Sequence, residues 1–396
     1  MSKYDDLFEE TRVSNSVFVN KRALDPLATP ETIVAREAEE RAVAHILNGV
    51  HDGYLPPTMA VYGPPGTGKT LTTRRVCEEF AARTKDVAVE YVNLKECRTL
   101  FSAANEILFE VAGRKCGAYE GLDGVFEALW DTLESYPEWT VLVLDEIDQV
   151  RYDSNYDPSE FFYRLLRGEG RLKRGIELSV ILLSNELLEV DLRVDSRVDS
   201  VVSGEEVFFG PYDAEALREI VSERIENAFR SGVVSEEVLE YGVGVAADRW
   251  GDARKTLTLF RRAGETANER GLDVVTRACI DVNLEETDKE RVLAKLASLP
   301  LNHLLVLTAV VSRRVGGQIK QPVTTAEVET TLSTAAVELS TRAIRDVVRD
   351  LETMGLVETW VDSRGRAGRV KQIQTTFDPC WAREAQAVRH HELDAE

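Results

Sequence analysis

The segment Gly63-Pro64-Pro65-Gly66-Thr67-Gly68-Lys69-Thr70 has the spacing of a loop built to hold phosphate. Its glycines let the backbone curl until successive N–H groups point inward, and the helix expected to open at Lys69 adds the positive end of its dipole. Lys69 is suited to neutralising the β- and γ-phosphates of a nucleoside triphosphate, and Thr70, followed by Leu71, to offering a hydroxyl to Mg²⁺. In VLVLDEIDQV, four apolar residues deliver Asp145 and Glu146 at the end of a buried strand, 75 residues after Thr70. Asp145 would orient the metal through water there, and Glu146 would polarise the water that attacks the γ-phosphate. The strand LSVILLSNE ends at Asn185, whose amide can hold the same water. The chemistry implied is binding of ATP with Mg²⁺ and its hydrolysis to ADP.

Such residues need a sheet to bring them together. From Thr58 to about Phe209, the apolar runs TMAVYG, VAVEYVNL, TVLVLDEID, LSVILLSNE and EEVFFG alternate with helical patterns. Near-continuous Val, Ile and Leu separated by helices indicates a parallel sheet covered on both faces. FGPY then punctuates the chain, residues 213–287 read as helices only, and a further unit starts near Glu290. The expected divisions are a nucleotide-contacting N-terminal segment 1–57, an α/β core 58–210, a helical lid 211–289, a C-terminal domain 290–382 and a tail 383–396. Ahead of the first strand, ETIVAREAEERAVAHILNGV predicts a helix opening at Pro30 with Thr29 as its cap.

With 396 residues, 43% hydrophobic and 30% charged, the chain reads as a globular protein of two or three domains. It contains no run of about 18 apolar residues, and MSKYDDLFEETRVS lacks the apolar core of a signal peptide, so a cytoplasmic protein with no membrane partner is expected. Five scattered cysteines without a C-x-x-C pair suggest neither a zinc site nor a disulfide framework. The net charge of −21 argues against indiscriminate nucleic-acid binding. Evenly spread acids, with Arg favoured over Lys, suit concentrated salt, so a halophilic source is expected and only local departures from acidity report function.

One departure stands out: SRGRAGRVK lies in a stretch without acids between Asp362 and Asp378. Residues 300–377 fit a winged helix, with three helices followed by the strands LVETWV and RVKQIQTTF around DSRGRAG. In STRAIRDVVRDLETMG, capped by Ser340 or Thr341 and stopped by Gly355, helical spacing turns Ile344, Val347, Val348, Leu351 and Met354 to a core. Arg342, Arg345 and Arg349 share another face, as a recognition helix needs, although Asp346 and Asp350 beside them also fit a solvated, ion-paired surface. Arg364, Arg366, Arg369 and Lys371 would project from the wing toward a minor groove or backbone, or form a solvated basic loop.

Together these residues resemble the AAA+ ATPases. WGDARKTLTLFRRAGETA is similar to the sensor helix of archaeal DNA replication initiators related to the eukaryotic origin recognition complex, through Gly251, Asp252, Arg254 and Arg262-Ala263-Gly264-Glu265. The resemblance extends over most of the chain and implies an α/β fold: an AAA+ P-loop core with a parallel sheet, a helical lid and a C-terminal winged helix. It implies that Arg254 reaches the bound phosphates, that Val34 and Arg36 in IVAREAE pack near adenine, and that Tyr212 and Arg224 also contact nucleotide. Arg193 or Arg197 would be the arginine finger acting on a neighbouring subunit, with spacing to GPY favouring Arg197. The function implied is an ATP-dependent initiator that binds double-stranded origin DNA, self-associates there, promotes loading of the minichromosome maintenance helicase and hydrolyses ATP slowly as a switch. An ATP-binding DNA-binding regulator, or a AAA+ signalling or transposition-helper ATPase, fits the same architecture.

Overall fold

The computed structural model describes residues 4, 7–8, 15–30, 32–150, 158–167, 176–185, 205–315, 318–335, 339–363, 369–382 and 384–385. They fall into two compact units, Met1–Ile280 and Asp281–Glu396.

The first unit is organised by a parallel sheet of β1 (Thr58–Tyr62), β2 (Val87–Asn93), β3 (Trp139–Asp145), β4 (Glu177–Ser184) and β5 (Glu205–Phe208), in the order β2-β3-β4-β1-β5. Apolar residues on both faces of β3 explain its central place. Val141 and Val143 pack with Val43, Leu47 and Cys77 of α1 (Glu37–Leu47) and α2 (Lys69–Arg83). Leu142 and Leu144 face the opposite way, into a core built by α3 (Leu100–Ala112), α4 (Gly121–Leu133) and α5 (Pro158–Arg167). The register pairs Asn93 with Asp145, Leu144 with Leu182 and Tyr62 with Ser184, so β1, β2, β3 and β4 end along one edge. Ligands of open α/β sheets bind at such an edge.

The helix expected from Pro30 begins seven residues later. α1 opens at Glu37 with Arg36 as its N-cap, and Ala35 sits at φ 58, in the left-handed region that interrupts a helix. Tertiary hydrogen bonds of Arg36, described below, outweigh the helical preference of the segment.

The lid comprises α6 (Ala214–Ala228), α7 (Glu236–Arg249) and α8 (Ala253–Glu269), followed by α9 (Arg277–Ala297). Asp213, Ser235 and Asp252 cap the first three, each side chain accepting a backbone N–H from the first turn. The N-terminal segment lies on the lid: Phe18 stacks on Phe229 with centroids 4.8 Å apart, and Asn268 accepts the N–H of Val17 at 2.9 Å.

In the second unit α10 (Leu301–Val310), α11 (Thr325–Thr334) and α12 (Thr341–Thr353) pack on a short antiparallel sheet of β8 (Val323–Thr324), β10 (Arg369–Thr375) and β9 (Val357–Ser363). A two-residue pair, β6 (Arg314–Val315) and β7 (Gln318–Ile319), forms a separate ribbon. Val306, Leu307, Ile344, Val348, Leu351 and Ile373 form the core. Of the two caps considered for α12, Ser340 is the one used, accepting the N–H of Ala343 at 3.2 Å, and Gly355 at φ 69 ends the helix. Met354, the C-cap at which α12 ends, does not join the core and is 41% exposed.

Candidate functional site

Between β1 and α2 the chain turns at Gly63 (φ 148), Gly66 (φ 76) and Gly68 (φ 88), conformations that strain residues with a Cβ. Lys69, buried in the first turn of α2, donates from Nζ to the carbonyls of Gly63 (2.6 Å) and Pro64 (2.9 Å) and to Oδ1 of Asn185 (3.3 Å). Burial lowers the pKa of its ammonium, and the charges of Asp145, Glu146 and Asp148 oppose that shift. Thr67 donates its hydroxyl to Pro64 O at 2.8 Å, closing the loop. Arg36 donates from Nε to Thr67 O (2.9 Å), from Nη2 to Gly210 O (2.6 Å) and from Nη1 to Glu39 (2.6 Å), while lying 3.8 Å over the Tyr212 ring. It therefore ties the loop to the segment that enters the lid.

At the end of β3, Asp145 is buried and accepts three hydrogen bonds. Oδ2 takes the hydroxyls of Thr70 (2.9 Å) and Tyr91 (2.7 Å), and Oδ1 takes the N–H of Glu146 (2.9 Å). Glu146 stands in the left-handed region at φ 58, uncommon for a residue with a Cβ. Burial, then the charges of Asp145 and Asp148, raise the pKa of its carboxyl. Asp148 accepts from Nδ2 of Asn185 at 3.1 Å, so Asp148, Asn185 and Lys69 form one chain linking β3, β4 and the loop. Replacing Asp148 by Asn removes one negative charge beside Glu146, which makes that carboxyl easier to ionise. The acid limb of the ATPase pH profile is expected to move to lower pH in Asp148→Asn; an unmoved limb, measured as kcat against pH, would refute the coupling.

The lid meets the loop directly. Ala253 donates its N–H to Gly66 O at 3.3 Å, and a Cβ on Gly66 would overlap Oδ1 of Asp252, the cap of α8. The Tyr212 N–H is bonded to Gly251 O at 2.9 Å, and its hydroxyl would stand 2.7 Å from a Cβ on Gly68. Arg254, exposed in the first turn of α8, is close enough for its charge to disfavour the Lys69 ammonium. Val34 and Leu71 are half-buried at the flanks. Arg224 donates to Ala28 O at 2.6 Å, holding the N-terminal segment to α6. Arg193 and Arg197 lie outside the described residues.

Three family models divide the chain among them: an AAA domain at residues 55–189, a Cdc6 AAA+ ATPase-type lid domain at 218–283, and a CDC6 C-terminal winged helix domain at 294–384. The ORC1-type DNA replication protein of Pyrococcus abyssi is 33% identical over 388 residues, 95% of this chain and 91% of that protein. The chain belongs to the ORC1-type DNA replication proteins. ORC1-type DNA replication protein 4 of Halobacterium salinarum is 31% identical over 389 residues, covering 92% of this chain and 90% of its own. Among solved structures, the Aeropyrum pernix ORC1 protein in complex with DNA aligns with TM-score 0.68 and 31% identity, over 93% of this chain and 96% of that one. The Aeropyrum pernix ORC2 protein, in ADPNP-ADP complexes, shares the fold at 20% identity and TM-score 0.65, over 96% and 100% of the two chains.

In this ORC1-type chain the winged helix carries the second candidate site. Arg342, Arg345 and Arg349 of α12 are all exposed. Asp346 lies between two of them, 3.3 Å from Arg349 and 4.0 Å from Arg342, whereas Arg345 has no carboxylate within ion-pair range among the described residues. Exposed pairs of this kind hold weakly and can be exchanged for phosphate. Lys371 is 3.5 Å from Glu352, and Arg369 pairs with Ser363 at the base of the hairpin. Arg364 and Arg366 lie outside the described residues.

Two groups at the ORC1-type nucleotide site carry no motif of their own, Tyr91 and Asp148, and the placing of the Asp252 carboxylate over Gly66 was not foreseen. Tyr91 shares a strand face with Asn93, opposite Asp145, and Asp148 lies one short turn beyond Asp145. Alternation along β2 and the three-residue spacing in DEID are the signals that could have found the first two. No helix among the described residues is long and apolar enough to cross a membrane.

Proposed function

We propose that this protein is an ATP-dependent replication initiator that binds double-stranded origin DNA through its winged helix and AAA+ core and promotes loading of the replicative minichromosome maintenance helicase. One observation carries the reading: a single chain joins a phosphate loop with its lid docked on it to a helix presenting Arg342, Arg345 and Arg349 outward. The 31% identical ORC1 protein solved with DNA supports it.

The residues fit a nucleotide with a divalent cation, since Gly63, Gly66 and Gly68 leave the loop without a Cβ at its three positive-φ positions and a buried ammonium stands beside it. Bound ATP supplies a transferable γ-phosphoryl group, and Mg²⁺ neutralises its charge. Lys69 would exchange the carbonyls of Gly63 and Pro64 for phosphate oxygens, and Thr70 with Asp145 would hold the cation. Glu146 would take the proton of the attacking water, its raised pKa matching a general base. Asn185, oriented by Asp148, would fix that water, and Arg254 would report the phosphates to the lid. Gly63 to Leu71 wrap the phosphates, while Val34, Arg36, Tyr212 and Arg224 form the surrounding wall or brace it. Arg197, or Arg193 in its place, would complete the site of a neighbouring copy on DNA, so that hydrolysis stays slow in isolated chains. We retain 1–57, 58–210, 211–289, 290–382 and 383–396 as functional divisions.

Mapping of DNA bound in cells is expected to return repeated sites at a replication origin, and binding without any preferred origin would overturn the assignment. Arg364→Ala combined with Arg366→Ala is expected to weaken binding to such a site about tenfold or more in high salt. Unchanged affinity would remove the wing from the interface. The charge of −21 is read as adaptation to salt and a cytoplasmic halophile, to be abandoned if the purified protein is equally stable and soluble without molar salt.

A further inference from the structure

Tyr91 is the donor at the nucleotide site that the hydrolytic machinery does not use. It reaches the cluster only because β2 lies beside β3, with Tyr91 opposite Val143 in the register and its ring bridging to Asp145. Its hydroxyl donates to Oδ2 of Asp145 at 2.7 Å and receives a weaker bond from Asn93 at 3.4 Å. The ring is held from above by the guanidinium of Arg74, 4.9 Å from its centroid, and Arg74 is paired with Glu78 at 2.6 Å. Phe would fill the same space, so packing of the ring does not call for the hydroxyl.

The consequence lies in the lone pairs of Asp145. A carboxylate has about four acceptor sites. Thr70 and Tyr91 occupy both sites on Oδ2, and the Glu146 N–H occupies one on Oδ1. One site is left, on the oxygen away from Thr70. We infer that Tyr91 is a positioning residue for the divalent cation: it locks Asp145 in the rotamer that serves Thr70 and keeps Oδ2 from ligating the metal directly, so that Asp145 acts through the Thr70 hydroxyl and metal-bound water. Second partners of this kind set metal affinity through the group they orient.

The inference rests on reading Thr70 and Asp145 as the cation site. The test is binding of a fluorescent ADP to the full chain, titrated with Mg²⁺ and repeated in EDTA, for wild type and Tyr91→Phe. The Mg²⁺ concentration for half-maximal tightening is expected to rise about tenfold in Tyr91→Phe, the effect of losing a hydrogen bond to a charged group. Affinity in EDTA is expected to stay at the wild-type value, and the melting temperature to fall modestly with the hydrogen bond lost from buried Asp145. An unchanged or lowered Mg²⁺ requirement overturns the inference, as does equal weakening with and without Mg²⁺, which would signal loss of packing. A wild type whose nucleotide binding ignores Mg²⁺ overturns the cation site itself, whereas a responsive wild type with an unaltered variant overturns only the role of Tyr91.

Discussion

Glu146→Gln is expected to lower ATP turnover by about 10²–10⁴-fold, the usual contribution of a general base, while leaving nucleotide affinity near that of the wild type. The substitution keeps the shape of the side chain and removes its capacity to take a proton. It also relieves an unfavourable charge. Burial, together with Asp145 and Asp148, holds the Glu146 carboxyl above its ordinary pKa, so the folded protein binds that proton more tightly than the unfolded chain does. The sign follows: stability from this group is fully present below the unfolded pKa and is lost as pH rises through the folded pKa. At neutral pH the ionised Glu146 therefore costs stability, and Gln at this position is expected to raise the melting temperature while flattening its dependence on pH over that window. Turnover and melting curves of the two proteins, measured in the same salt, check both halves. A variant that hydrolyses ATP at the wild-type rate would remove Glu146 from the chemistry.

Gly66→Ala is expected to weaken nucleotide binding at least tenfold and to lower stability together with it. At φ 76 an alanine costs about 1–2 kcal/mol in backbone strain alone. The added methyl would also overlap Oδ1 and Cγ of Asp252, so the cap of α8 must move. Moving it breaks the Lys255 N–H bond to Asp252 and the Ala253 N–H bond to Gly66, and the lid loses its seat on the loop. The compensating change is Asp252→Gly, which removes the obstructing carboxylate and costs a helix cap only a few tenths of a kcal/mol. Stability of the double variant should recover in part only, because the backbone strain at position 66 persists. Wild-type affinity in Gly66→Ala alone would show that the contact plays no part in binding.

Much of this was legible in residue patterns because local chemistry dictates it. The phosphate loop needs left-handed glycines and a helix start, and β3 needs apolar residues on both faces before it can present Asp145 and Glu146. Asn185 is found by the same strand-end logic, and it lies within reach of Lys69. What stayed hidden depends on neighbours far apart in sequence. Alternation along β2 puts Tyr91 on one face with Asn93, but its contact with Asp145 comes from the order of the strands. The start of α1 departs from Pro30 because Arg36 bonds to Thr67 and Gly210, 31 and 174 residues away. Met354 keeps the helical period of an inward face, yet it is the C-cap at which the helix ends and it stays exposed.

Asp346 lies within 4.0 Å of both Arg342 and Arg349. These cations thus carry a resident counterion that belongs to the chain. If this face binds DNA as proposed, arriving DNA would displace a tethered carboxylate in addition to ions from solution, and a tethered group returns nothing to the bulk. The gain in entropy that normally makes such association collapse with added salt is correspondingly reduced. Affinity plotted against the logarithm of salt should fall less steeply than the number of arginine contacts would dictate, and Asp346→Ala should steepen it. An acid among the arginines would thereby make the proposed grip on DNA less sensitive to the surrounding electrolyte.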